Sequence, residues 1–264
     1  MDNRTRRFGL IGFPLAQSFS PGYFSSKFGR EGLANCRYDA FPLSSIDQFV
    51  KLLDDTPGLE GLNVTIPYKS QVIPYLDELS EEAAYIGAIN VIKIKNGHLT
   101  GYNSDVYGFE KSLLNFLPSS IPIGLKAQVL GTRGAAKAVQ FVLKKLGIPF
   151  LFVSRKASDS AIAYEEITPT IFESHQLVVN TTPLGMAPNI EACPSIPYEL
   201  TTSGHYCYDL VYNPEKTRFL ALAEAAGGNI QNGLLMLYLQ AEKAWEIWND
   251  PTPPTQNSIL VTRN

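Results

Sequence analysis

The sequence predicts an α/β protein built from two domains, and three observations carry that reading. Strand-like and helix-like segments alternate along nearly the whole chain, which implies parallel sheet covered by helices on both faces. A Pro/Ser/Gly break, "PSSIPIG" (118–124), interrupts the alternation and is the candidate linker. The chain has 264 residues, 45% of them apolar and 18% charged, enough for one large core or two modest ones.

The elements follow in order. "RFGLIG" reads as a strand, and Ser20-Pro21 opens an aromatic-rich helix running through Phe28. "CRYDAFPL" is a strand. "SSIDQFVKLLDD" begins with serines suited to an N-cap and sets Ile46, Phe49, Val50 and Leu53 at helical spacing. "LNVTIPY" is the next strand, with Leu62, Val64 and Ile66 apolar at alternate positions. "SEEAAYIGA" is a helix with its acids in the first turn, where the helix dipole favours them. "INVIKIKNGHLTGYNSD" alternates around Asn96-Gly97, a two-residue hairpin signal. A helix, "VYGFEKSLLNFL", leads to the linker. Beyond it, "AQVLG" is a strand and "AAKAVQFVLKKLG" a helix closed by Gly147. "PFLFVSR", "LVVNTT" and "YCYDLVY" are strands, and "TRFLALAEAAGG" is a helix ended by two glycines. A last helix, Gly233 to Asn249, precedes an extended tail, "DPTPPTQNSILVTRN".

Several function classes are disfavoured at once. The formal net charge is only −3, and no block of Lys and Arg forms a phosphate-tracking patch, so nucleic acid is not an expected partner. No run approaches the roughly 20 apolar residues of a membrane-spanning helix, and the N-terminus offers no signal-peptide core. Cys36, Cys193 and Cys207 are far apart and share no metal-ligand spacing with His98, His175 and His205. The expectation is a cytoplasmic protein with reduced thiols and no metal.

Two segments carry chemistry. In "QVLGTRGAAKAVQFVL" a strand, a glycine turn and a helix follow one another. Gly131 makes the turn tight, and Gly134 and Ala136 are small where the helix packs against the sheet. Such a turn aims helix N-terminal amides at a pyrophosphate. The next strand ends in Ser154, Arg155 and Lys156, about twenty residues on, where an NAD site places a carboxylate. A guanidinium there binds a 2′-phosphate that a carboxylate repels, so the cofactor read from this segment is NADP. In "LNVTIPYKS" a strand is stopped by Pro67 and followed by Lys69. That lysine is either a solvated loop residue or an ammonium held on a rigid ledge.

Taken together, "PLAQSFSP", "NVTIPYK", "GAINV", "GYNSDVYGF", "NTTPLGM", "YDLVY" and "GLLMLYLQA" resemble the shikimate dehydrogenase family, in the same order from about Gly12 to Trp248. The resemblance implies reversible NADPH-dependent reduction of 3-dehydroshikimate to shikimate, on the chorismate route to aromatic amino acids. It implies a substrate domain over 1–105, a Rossmann NADP domain over 106–232, and a C-terminal helix over 233–264 returning to the first domain. Monomers and homodimers both occur in such a family.

By motif, Ser18 and Ser20 correspond to hydroxyls on the substrate carboxylate, and Thr65 and Lys69 to a binding threonine and the catalytic lysine. Asn90 and Asp105 correspond to the residues that hold the ring hydroxyls, with Asp105 paired to the lysine. Gln240 and Tyr212 complete the substrate set. Gly131, Thr132, Arg133, Gly134 and Ala135 correspond to the phosphate turn, and Ser154, Arg155 and Lys156 to the 2′-phosphate site. Thr182, Met186, Leu210 and Gly233 correspond to walls near the nicotinamide. Three positions depart from the family pattern: Arg133 and Leu235 stand where glycine is usual, and Ser154 where asparagine is usual.

Several of these residues also have an ordinary structural reading. Asp105 precedes a helix and suits an N-cap. Ser18 and Ser20 suit a cap before Pro21, which is itself compatible with carboxylate binding. Gln240 lies on a stripe with Gly233, Leu237, Ala244 and Ile247, so its amide needs either a substrate hydroxyl or a backbone group. Dehydrogenation of quinate or a related cyclohexane acid, including with NAD, is the same-fold alternative. A non-catalytic sensor of NADP or shikimate is the alternative from another class.

Overall fold

The computed structural model describes residues 4–16, 18–251 and 259–261. It divides into two compact units, Met1–Ser104 with Ala241–Asn264, and Asp105–Gln240. In chain order the first stretch contains β1 (Arg6–Gly12), α1 (Phe19–Arg30), β2 (Cys36–Pro42), α2 (Gln48–Asp55), β3 (Leu59–Val64), β4 (Glu78–Leu79), α3 (Glu81–Ile86), β5 (Val91–Lys95) and β6 (His98–Tyr102). Helix α4 (Ser104–Phe116) follows. Then come β7 (Ala127–Leu130), α5 (Gly134–Lys145), β8 (Phe150–Ser154), β9 (Ala161–Ala163), α6 (Pro169–Ser174), β10 (Leu177–Asn180), β11 (Tyr206–Asp209), α7 (Arg218–Ala225) and β12 (Asn229–Gln231). Helix α8 (Leu234–Asn249) and β13 (Ile259–Leu260) close the chain. Segment 118–124 lies inside the second unit, and the change of unit falls instead at the start of α4.

The first unit's sheet has the order β13-β4-β6-β5-β3-β1-β2. Strand β1 pairs parallel with both β2 and β3, whereas β5 runs antiparallel to β3 and β6. The parallel reading therefore holds for β1 with β2 and β3 and gives way at the hairpin that the sequence also signals. The cause is the hairpin: Asn96 (φ 53°) and Gly97 (φ 79°) both take positive φ, so β6 returns directly beside β5 instead of crossing over a helix. Alternation along β1 feeds two cores, Phe8 and Leu10 on one face and Ile11 on the other. On the first face Trp248 stacks on Phe8 with ring centroids 4.9 Å apart, and its indole N–H donates to the Ile92 carbonyl at 3.0 Å.

The second unit's sheet has the order β12-β11-β10-β7-β8-β9, with every pairing parallel. Strands β7 and β10 are buried at every position, as a sheet covered on both faces requires. The chain leaves β7 in one direction through β8 and β9, and in the other through β10, β11 and β12. This reversal beside β7 is the topological switch at which such sheets bind ligands.

Some boundaries differ from the sequence reading. Helix α1 begins at Phe19 and continues to Arg30. Helix α2 is preceded by Asp47, not by a serine cap, because Gln48 reaches back to accept the Ser44 N–H at 2.9 Å while Ser45 donates to Asp47 at 2.8 Å. The predicted extended tail lies largely outside the described residues, and its described part, β13, pairs antiparallel with β4. Among the described residues no helix is long and apolar enough to cross a membrane.

Candidate active site

Strand register gathers the first set of residues on one edge of the first sheet. Gly12, the last residue of β1, lies one pair beyond Ile11, which pairs with Val64 at the end of β3. Because β5 is antiparallel to β3, its first residue, Val91, pairs with Asn63, and Val91 in turn pairs with Tyr102 at the end of β6. The loop that carries Ser18 into the first turn of α1, where Ser20 lies, the turn bearing Thr65 and Lys69, and Asn90 all leave or enter the sheet at this edge, which β6 reaches just before Asn103 and Ser104.

The turn after β3 is a ledge. The Thr65 N–H donates to the Ile11 carbonyl at 2.9 Å, and the Tyr68 N–H closes the turn onto Thr65 at 2.9 Å. Tyr68 is buried, and its hydroxyl donates to the Leu43 carbonyl at 2.6 Å. The Lys69 carbonyl accepts from the Ile89 N–H at 2.6 Å. The backbone on both sides of the half-buried Lys69 is thus tied to the sheet and to the segment before Asn90. A Cβ on Gly12 would run into the Thr65 side chain, so Thr65 lies directly against the end of β1.

Asn90 is buried and doubly bound to Ser104: its Oδ1 accepts the Ser104 N–H at 2.7 Å and its Nδ2 donates to Ser104 Oγ at 3.0 Å. Its carbonyl accepts the Val64 N–H at 2.9 Å and the Asn63 amide at 3.2 Å. The Tyr38 hydroxyl donates to Asn63 Oδ1 at 2.7 Å, and burial, partly offset by a hydrogen bond with Ser20, pushes that phenol well above its usual pKa. Ser18 occupies the N-cap position of α1 without making a side-chain capping bond, so its hydroxyl does not serve the helix. Asp105 falls in the first turn of α4. The amide of Gln240 donates to the Leu237 carbonyl at 2.9 Å, one of the two kinds of partner left open for it.

The second unit assembles its set on the C-terminal edge of its parallel sheet. Gly131 follows β7, Arg155 and Lys156 follow β8, Thr182 and Met186 follow β10, Leu210 and Tyr212 follow β11, and Gly233 follows β12. Gly131 has φ 104°, and a Cβ there would meet Thr181 Oγ1 at 2.7 Å and the Thr182 methyl at 3.0 Å, so only glycine fits. Gly233 approaches so closely that a Cβ would collide with the Leu210 carbonyl, and its N–H donates to the Val211 carbonyl at 3.1 Å.

Thr132, Arg133, Gly134 and Ala135 are exposed around the start of α5, leaving its N-terminal amides open to an anion. Gly134 has nothing within 4 Å of a would-be Cβ, so the packing role read for it from sequence falls to the buried Ala136 alone. Arg133 has extended backbone (φ −86°, ψ −170°), which any residue adopts, so it occupies the usual glycine position without strain. Ser154 folds its hydroxyl onto the Lys156 carbonyl and accepts the Lys156 N–H at 3.3 Å, shaping the turn that presents exposed Arg155. These residues fit a phosphorylated dinucleotide: open helix amides at the switch point, and two cations on the neighbouring strand end. Leu235, in the first turn of α8, is half-buried, and nothing in its surroundings explains the departure from glycine.

Two polar residues at this edge received no role from the sequence reading, Asn180 and Asp209. Both end strands of the parallel sheet, both are fully buried, and they are hydrogen-bonded to each other at 2.9 Å. The signal was present in "LVVNTT" and "YCYDLVY", where an amide and a carboxylate close two otherwise buried strands. Among the described residues no group of three or more His, Cys, Asp or Glu is gathered as metal ligands.

Comparison with known proteins accords with this geometry. Residues 10–92 match the shikimate dehydrogenase substrate-binding domain. The chain is 35% identical over 287 residues to the NADP(+) shikimate dehydrogenase of Desulforamulus reducens, covering 100% of this chain and 95% of that one. It is similar to the shikimate 5-dehydrogenase of Thermus thermophilus, solved with NADP(H) and shikimate, at 32% identity and TM-score 0.80, over 92% of this chain and 93% of that one. The quinate dehydrogenase of Corynebacterium glutamicum, solved with NAD, superposes with TM-score 0.81 at 28% identity, over 93% and 94% of the two chains. With full-length identity at this level, and the substrate-domain match covering the very strands that carry the ledge, the chain belongs to the shikimate dehydrogenase family.

Proposed function

We propose that this chain catalyses the NADP-dependent interconversion of 3-dehydroshikimate and shikimate. The observation that carries the reading is the placement of the two motif sets on two separate strand edges. A fixed lysine ledge with hydroxyl and amide groups lies on the mixed sheet, and an open helix N-terminus beside Arg155 and Lys156 lies on the parallel one. The first unit is the substrate-binding domain and the second the nucleotide-binding domain.

Bound NADPH supplies the hydride to the ketone carbon. The protein's part is to hold the ring and to manage the charge that grows on the ketone oxygen. Ser18 and Ser20 bind the substrate carboxylate. Thr65 and Asn90 bind ring hydroxyls, and Tyr212 and Gln240 complete the substrate set. Lys69 stabilises the developing alkoxide and, with Asp105, manages the proton at that oxygen. Gly131, Thr132, Arg133, Gly134 and Ala135 receive the pyrophosphate, and Ser154, Arg155 and Lys156 the 2′-phosphate. Thr182, Met186, Leu210 and Gly233 wall the nicotinamide. Cys36, Cys193 and Cys207 are free thiols, in keeping with work in a reducing cytoplasm.

The test is oxidation of shikimate and of quinate, each with NADP and with NAD. Turnover of shikimate with NADP well above the other three combinations is expected. Preference for quinate and NAD would move the protein to the quinate branch, and binding of both ligands without turnover would make it a sensor.

A further inference from the structure

The buried Asn180–Asp209 pair has no part in the chemistry above, yet three of the four groups it holds, the Thr182 N–H and hydroxyl and the Val211 N–H, belong to loops on the cofactor side. Asn180 Oδ1 accepts the Thr182 N–H at 3.0 Å and the Thr182 hydroxyl at 2.7 Å. Its Nδ2 donates to Asp209 Oδ1 at 2.9 Å, and the same carboxylate oxygen accepts the Val211 N–H at 3.0 Å. Asp209 Oδ2 accepts the hydroxyl of Thr217, the N-cap of α7, at 2.6 Å. The backbone adds two ties, Leu210 N–H to the Asn180 carbonyl at 3.0 Å and Gly233 N–H to the Val211 carbonyl at 3.1 Å.

A carboxylate in this position is costly. Asp209 is fully buried, and among the described residues no cation joins its set of bonds. Burial pushes its pKa up to about 6, against the pull of Thr217, the Val211 N–H and Asn180. An apolar residue would fill the same volume without that cost. What an apolar residue lacks is an acceptor able to take three donors from three different segments at once.

We infer that Asp209, acting through Asn180, is a positioning residue for the cofactor half of the reaction, locking the Thr182 loop and the Leu210–Tyr212 loop in one mutual arrangement. The inference rests on the functional reading above, which places those loops beside the nicotinamide. It predicts a selective defect: cofactor affinity and turnover fall together, while shikimate affinity, which rests on Ser18, Ser20, Thr65, Lys69 and Asn90 of the first unit and draws only Tyr212 from these loops, stays within twofold.

The experiment measures NADPH and shikimate binding separately by calorimetry, with steady-state kinetics and thermal melting, for the wild type, Asp209→Ala, Asp209→Asn and Thr217→Val. Asp209→Ala is expected to weaken NADPH at least tenfold and to lower kcat at least tenfold, with shikimate affinity within twofold of wild type. Asp209→Asn keeps an acceptor for Val211 and Asn180 and turns its own amide toward the Thr217 oxygen, so NADPH affinity should return to within threefold. Thr217→Val removes the helix cap and the Oδ2 contact but leaves the Oδ1 ties, so it should lower the melting temperature with NADPH affinity within twofold.

Unchanged NADPH affinity in Asp209→Ala would overturn the inference. So would an equal loss of shikimate affinity, or a Thr217→Val defect as large as that of Asp209→Ala. If Asp209→Ala does not fold, Asn180→Ser carries the test, because its side chain no longer reaches between Thr182 and Asp209. The same selective loss supports the inference, and wild-type affinity overturns it. The wild type separates the two levels: failure to oxidise shikimate with NADP overturns the functional reading itself, whereas normal wild-type turnover beside an unaffected Asp209→Ala overturns only the positioning role.

Discussion

On the proposed reading, the two units solve opposite binding problems at strand ends of a mixed and of a parallel sheet. In the first, Thr65 and Lys69 are half-buried, Asn90 is buried, and their backbone is tied down from both sides. In the second, Thr132 to Ala135, Arg155 and Lys156 stand exposed, and only the loops behind them are fixed by buried groups. A small polyhydroxy acid offers few atoms, so recognition needs groups whose positions are set beforehand in a poorly solvated place. A dinucleotide offers several negative charges, so helix amides and exposed cations at the surface suffice. Changes on the first edge should therefore act steeply on the chemical step. Changes on the second should act in a graded way on cofactor binding, and salt should matter.

Lys69→Ala gives the largest effect. Loss of a positioned acid-base group lowers kcat by roughly a hundred- to ten-thousandfold, while KM for shikimate rises much less because Ser18, Ser20, Thr65 and Asn90 remain. Steady-state kinetics read this directly, and an intact kcat with a large rise in KM would reduce the ledge to a binding element.

On the second edge, Arg155→Ala should weaken NADP by about ten- to a hundredfold, the scale of one charge-assisted contact of about 1.5–3 kcal/mol. NAD, which lacks the 2′-phosphate, should change little. Equal losses for the two cofactors would break the assignment of this strand end.

The buried acid behind the second edge has a pH signature. Its pKa is raised from 3.8 to about 6, chiefly by burial, so the folded protein holds this proton more tightly than the unfolded chain. The stability it contributes is fully present below pH 4 and is lost as pH rises through about 6. Asp209→Asn should remove that slope, flattening the fall in stability across this window by on the order of 1–3 kcal/mol. Denaturant unfolding at several pH values measures it, and parallel curves for the two proteins would contradict it.

The smallest effect is expected at Arg133. Arg133→Gly removes an exposed charge near the phosphate turn, so NADP binding should weaken a few-fold at low salt, with the difference shrinking at high salt. Tighter binding after this change would mark the arginine as a steric obstacle.

Much of this was legible before any coordinates. The hairpin follows from Asn96-Gly97 because that signal is local, and a strand before Lys69 was also legible, but it spans Leu59–Val64, ends before Pro67 and leaves Ile66 exposed. The same hairpin signal gave the antiparallel pairing of β5 with β6, whereas the direction of β5 against β3 stayed open, because period-two alternation is the same in parallel and antiparallel strands.

The sequence by itself determined the longer elements, their order, the family and the chemical types at each motif, while the short β4, β9, α6, β12 and β13 were not read from it. Side-chain periodicity, turn residues and motif spacing are properties of a few neighbouring residues. Only the tertiary structure decided that β5 pairs with β3, that Gly131 lies against Thr182 and Gly233 against Leu210, and that Asn180 meets Asp209. Each of these joins segments from 23 to 51 residues apart, Gly233 to Leu210 at the short end and Thr182 to Gly131 at the long end. Such contacts are fixed by sheet register and by the exclusion of unpaired polar groups from the core, conditions imposed by the whole folded chain and by no single stretch of it.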